Sequence, residues 1–161
     1  MTDLSLPRSG LDTVRRANAA ALALLALTAV HHVYGAVAFE TPWRLHVLAL
    51  VLPAAIAIFL ALRAGMAMEG RSTGRRWTVV GALLILVVPV ALIGFYEGGY
   101  NHLVKNLAYF LGGEARALAL FPPPTYEMPR DVFFEVTGIA QFPLSIVTGA
   151  LATRLLIGAA R

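Results

Sequence analysis

Four long apolar runs divide this chain, at about residues 17–39, 45–68, 77–96 and 132–157, and polar residues, glycines and prolines collect between them. Each run has the roughly 20 residues that carry an α-helix across a ~30 Å hydrocarbon layer. The pattern predicts an all-α integral membrane protein: one domain, residues 1–161, folded as a bundle of four transmembrane helices. The first three connections differ in kind. Residues 1–16 are polar, Glu40 to Arg44 make a short turn with Pro42 in it, and Glu69 to Arg76 form a basic loop broken by Gly70 and Gly74. Ala36-Val37-Ala38 has the small-x-small form of a signal-peptide cleavage site, but the run before it is longer than a signal core, so it is read as a membrane helix.

The fourth connection, residues 97–131, is the longest and has structure of its own. His102 to Leu111 reads as a short amphipathic helix that places His102, Lys105 and Asn106 on one face. A second short helical piece is expected from Glu114 to Phe121. Pro122-Pro123-Pro124 then imposes an extended segment before the last helix.

Basic residues set the orientation. Arg8, Arg15, Arg16, Arg63, Arg71, Arg75, Arg76, Arg154 and Arg161 flank one side of the runs, and Arg44, Lys105, Arg116 and Arg130 the other. The richer side is expected to be cytoplasmic, with both termini there and the protein in the cytoplasmic (inner) membrane.

Composition sharpens this picture. The chain is 58% hydrophobic and 14% charged, against about 25% charged for a soluble domain. A net charge of +4 and a sequence pI near 10.0 would suit a nucleic-acid binder. The basic residues are spread around the apolar runs rather than gathered into a patch, which excludes that partner. With no cysteine, disulfides, thiolate metal sites and thiol redox chemistry are also excluded. Lys105 is the single lysine among thirteen basic residues, which is read as coding bias.

Candidate chemistry centres on Tyr96-Glu97-Gly98-Gly99-Tyr100-Asn101-His102, where the third apolar run ends. The glycine pair predicts that the chain leaves the helix there. Alternating helix directions bring His31, His32, His46 and Glu135 to the same outer half. The candidate metal- or cofactor-binding residues are thus His31, His32, His46, Glu97, His102 and Glu135, with Glu40, Asn101, Lys105 and Asp131 around them. Neighbours on a helix differ by ~100°, so only one of His31 and His32 is expected to face the bundle. Pro53, Pro89 and Pro143 lie mid-run and free the carbonyls of Ala49, Ile85 and Ile139, so kinks are expected to widen this half.

Nitrogen and oxygen donors without sulfur suit zinc, copper(II), iron or manganese, or a haem held by paired imidazoles. With an open metal position, redox or hydrolytic chemistry follows. Two other functions fit the same residues. One is a metal-free carrier or enzyme for a lipid-soluble small molecule, with Lys105 and Arg130 holding an anionic group. The other is a structural or assembly subunit, in a homo-oligomer or docked on a larger membrane complex through its polar outer segment.

Overall fold

The computed structural model describes residues 8–160. Asp3 and Arg161, and the side chain of Arg8, lie outside the described part. Five helices account for nearly all of it, and there is no strand among the described residues: α1 (Arg8–Ala38), α2 (Leu48–Ala67), α3 (Ser72–Gly112), α4 (Glu114–Leu120) and α5 (Val132–Ala160). A 3₁₀ turn, Pro42–Val47, leads directly into α2. Including that turn, α1, α2, α3 and α5 are each long and apolar enough to cross a membrane.

Their side chains are arranged as lipid would require. Large apolar residues such as Leu52, Ile56, Leu60, Val87, Phe95, Val136 and Ile157 are exposed on the outer faces. Thr28, Gln141, Ser145 and Thr148 are fully buried between helices. Lipid tails solvate leucine as well as another leucine does, so close backbone approach and interhelical hydrogen bonds do much of the joining. Thr28 Oγ1 donates to Gln141 Oε1 at 3.0 Å, linking α1 to α5. At one end of the bundle the core is largely apolar, built from residues such as Ala21, Leu24, Ile58, Leu62, Ile85 and Leu155.

The third helix departs from expectation. The sequence pattern ends it at Tyr96, with a separate amphipathic helix beyond. The helix instead runs unbroken to Gly112, so the outer connection shrinks to residues 113–131, and His102 to Leu111 belong to the end of α3. Gly98 and Gly99 are buried inside it. Their role is contact. A Cβ on Gly98 would stand 2.8 Å from Phe142 N, and one on Gly94 would stand 1.9 Å from the Ser145 Cβ. Small residues let α3 and α5 meet almost backbone to backbone, and an unbroken helix keeps its backbone groups paired in an apolar surrounding except at Pro89.

The middle of α3, Leu86–Val104, is π-helical and contains Pro89. A π-helix bonds residue i to i+5 and widens each turn, so positions four and five apart lie near one face. Burial steps accordingly through Val88 and Pro89, Ile93 and Gly94, Gly98 and Gly99, and His102. Glu97 and His102 are also five apart, and both project toward α1.

α1 and α5 run antiparallel, which puts both ends of the described chain beside the α2–α3 turn. Gly10, Thr13, Arg71, Arg75, Arg154 and Ala159 line one cavity there. The histidine- and glutamate-rich region lies at the opposite end.

Candidate functional site

At that opposite end, three imidazoles from two helices surround one carboxylate. Glu97 Oε1 lies 3.8 Å from His31 Nε2, 3.4 Å from His32 Nε2 and 3.5 Å from His102 Nε2. One donor atom from each of His31, Glu97 and His102 falls within 4.8 Å of the others, a spacing that can hold a metal ion. His31, His32 and His102 are all buried, and Glu97 is largely so. Both neighbouring histidines of α1 therefore face inward, against the expectation that one would turn away. α1 is covered by α5 on one side and by α3 on another, so two directions ~100° apart are both interior. His31 lies against α5, its ring stacked 4.2 Å from that of Phe134, while His32 points toward Glu97 of α3.

Outer partners engage the Nδ1 of two of the rings. Thr137 Oγ1 gives its only hydrogen to the Phe133 carbonyl at 2.7 Å, so it accepts from His31 Nδ1–H at 3.0 Å. Glu135 Oε2 accepts from His102 Nδ1–H, also at 3.0 Å. His31 thus turns a bare Nε2 toward Glu97, whereas His102 lies between two carboxylates, its Nε2 3.5 Å from Glu97 Oε1. On the other side, Asn101 Nδ2 donates to Glu97 Oε2 at 2.7 Å and orients the carboxylate. Neither His31 Nε2 nor either nitrogen of His32 has a hydrogen-bond partner among the described residues.

Glu135 stands one layer out, with both oxygens occupied. Lys105 Nζ donates to Oε1 at 2.6 Å, and Asn106 joins His102 in donating to Oε2. Lys105, the single lysine, is 1% exposed and also donates to the Glu127 carbonyl at 2.7 Å. It thereby ties the 113–131 connection to the bundle. His102 fits here because α5 has Gly138 opposite, where a Cβ would stand 2.3 Å from the ring.

The remaining candidates lie farther out. His46 is exposed, with its Nδ1 on the Trp43 carbonyl at 2.6 Å and its ring stacked on Trp43. Glu40 is exposed in a left-handed turn (φ 54°) after α1. Asp131 caps α5 by accepting from Phe134 N–H at 2.8 Å and accepts from the Tyr34 hydroxyl at 2.8 Å. Those two bonds hold its carboxyl below the usual range. Arg130 pairs with Glu114 at the surface, 2.6 Å away, rather than at the site.

Three residues have roles that sequence reasoning did not give them: Thr137, Phe134 and Arg44. Arg44 was read as a topology charge, yet it is buried, bonded to Thr41 and Glu127, and lies over the Trp43 ring at 4.7 Å. The i+4 step from His102 to Asn106 was the one available signal for Asn106.

A cavity of about 340 Å³ adjoins the cluster, bordered by His32, Glu97 and His102 at its base and by Trp43, Tyr96 and Tyr126 higher up. Burial, with the Tyr96 hydroxyl beside it, pushes the Tyr126 phenol up to about 12, so it stays protonated. Compared with family models, curated proteins and solved structures, the chain matches none.

Proposed function

We propose that this chain is a protein of the cytoplasmic membrane, both termini inside, that binds one divalent transition-metal ion in its extracytoplasmic half. His31 Nε2, His102 Nε2 and Glu97 Oε1 are its ligands. The supporting observation is the convergence of three donor atoms. Nδ1 of each ring is engaged outward, by Thr137 and Glu135, so that two Nε2 atoms and a carboxylate oxygen gather within 4.8 Å of one another. Such a set of donors is favourable around a cation. Outward hydrogen bonds from ligand imidazoles to a carboxylate or a hydroxyl are also what metal sites use to fix ring orientation.

Two nitrogens and one oxygen suit zinc, iron(II), manganese or copper(II) and leave coordination positions open. Those positions adjoin the cavity at Glu97 and His102. The ion would supply Lewis-acid or redox chemistry to a molecule in that cavity. A haem between the imidazoles is disfavoured, because the His31 and His102 rings meet edge to face 4.6 Å apart and leave no slot for a macrocycle.

Elemental analysis of detergent-purified chain, before and after reconstitution with cobalt(II) or copper(II), tests the reading. About one ion per chain is expected, with nitrogen hyperfine structure in the copper(II) spectrum. His31→Ala, His102→Ala and Glu97→Gln should each lose it, and His46→Ala and Glu40→Gln should keep it. A chain that takes up no metal under any of these conditions overturns the proposal.

A further inference from the structure

The cavity beside the cluster opens sideways. α2 packs along the Ser72–Ile85 part of α3 but separates from the π-helical part that follows. The cavity lies in this divergence, with Val47 and Leu50 on one wall and Leu92, Ile93 and Tyr96 on the other. Leu50, Leu92 and Tyr96 are 40%, 44% and 55% exposed, and all belong to segments apolar enough to sit in a membrane. Leu50 is eight residues past Pro42, ~12 Å along the helix axis. The opening therefore faces the hydrocarbon layer.

His32 borders the base of this cavity. It is 8% exposed; its Nε2 faces Glu97 Oε1 at 3.4 Å, and its Nδ1 has no hydrogen-bond partner among the described residues. It is not one of the three groups whose donor atoms gather within 4.8 Å, and its Nδ1 is left for a molecule in the cavity. Buried polar atoms are rarely left unpaired, and one beside a cavity points to a ligand that pairs with it.

The chemistry of the walls narrows that ligand. Arg44 and Lys105 are already paired with Glu127 and Glu135, so no free cation awaits a carboxylate or phosphate. Glu97, without an ion on it, repels an anion. Trp43, Tyr96 and Tyr126 offer ring surfaces, and an imidazole asks for a hydroxyl. We propose that the cavity takes a lipid-soluble phenol from the bilayer, its hydroxyl hydrogen-bonded to His32 and its ring among these aromatic walls. The inference rests on the metal reading only for setting that hydroxyl beside the ion; the pairing with His32 stands without it.

The test uses the full chain in lipid nanodiscs with Trp77→Phe, which leaves Trp43 of the cavity wall as the one tryptophan. Titration with para-nonylphenol should quench Trp43 fluorescence saturably. Its methyl ether should bind at least about tenfold more weakly, as should the phenol to His32→Leu, the cost of one buried hydrogen bond. Quenching that never saturates, or that is equal for phenol and ether, or that His32→Leu leaves unchanged, overturns the inference. If His32→Leu does not fold, the phenol–ether contrast on the unsubstituted ring decides alone. Running the titration with and without cobalt(II), with metal content measured on the same discs, separates the two claims. Metal bound without phenol binding sinks only this inference, and phenol binding without metal sinks only the metal site.

Discussion

The two ends of the bundle solve one packing problem with opposite materials. At the end that carries the chain termini, α1, α2, α3 and α5 close on apolar side chains such as Leu24, Ile58, Leu62 and Leu155, and the charged residues Arg71, Arg75 and Arg154 stay exposed. At the other end α1, α3 and α5 close on His31, His32, His102, Lys105, Asn106 and Glu135, all buried. An apolar core tolerates small errors of direction because its contacts are non-directional. A core of ionisable groups does not, because each unpaired member carries its full desolvation cost. Replacing such a core by apolar residues of similar volume is often neutral or stabilising. Its presence at one end only therefore points to work other than holding the helices together.

The sharpest way to break the comparison is Glu135→Ala. It leaves Lys105 and His102 buried without their shared acceptor, and the expected loss is about 3–5 kcal/mol of unfolding free energy, read by thermal or denaturant unfolding in detergent. A loss under about 1 kcal/mol would mean that the network is loosely held. Next comes a glycine pair on α5. Gly138→Ala drives a methyl into the His102 ring and should cost about 1–3 kcal/mol together with metal uptake. Gly158→Ala has nothing within 4 Å and should be neutral or up to about 1 kcal/mol stabilising through helix propensity. Equal effects at both positions would erase the distinction between the ends.

Asp131→Asn weakens the cap of α5 and should cost about 1 kcal/mol or less at neutral pH. Its carboxyl is held below the unfolded value, so its contribution is full above the unfolded range of ~3.9 and fades as pH falls through the folded value. The gap between native and variant stability should accordingly close on acidification below about pH 4. A gap that widened there would contradict the capping geometry. Arg154→Ala, exposed at the terminal end, should fall within about 0.5 kcal/mol of native.

The four long apolar helices were legible because length and hydropathy are properties of one segment at a time. So was the gathering of His31, His32, Glu97, His102 and Glu135 at one end, since alternating helix directions decide it. What could not be read was direction around each helix. A 100° step excludes one of two adjacent residues only when a single face of the helix is covered, and α1 is covered on two. Gly98-Gly99 carried the signature of a helix exit in water; the same pair, pressed against Phe142 and Gln141, serves approach between helices instead. His46 lies at the same end of the bundle but is exposed and spends its nitrogen on the Trp43 carbonyl within its own turn. Thr137 gave no signal at all, since its value lies in where its one proton goes.

The wide turn of α3 has a consequence for how this protein can change length. In an ordinary α-helix, positions five apart differ by ~140° around the axis, so Glu97 and His102 would look in different directions. Removing one residue between them would keep the apolar span and every ligand in the chain. It would also return the spacing to four, on which an α-helix makes the same pair neighbours. A site that survives that deletion would show that either register can build it; a site lost would show that the extra residue is what holds Glu97 on His31 and His32 while His102 stays on Glu135. Insertions in the 113–131 connection away from Tyr126 and Glu127 leave that register untouched, so it is in the third helix that length is counted residue by residue.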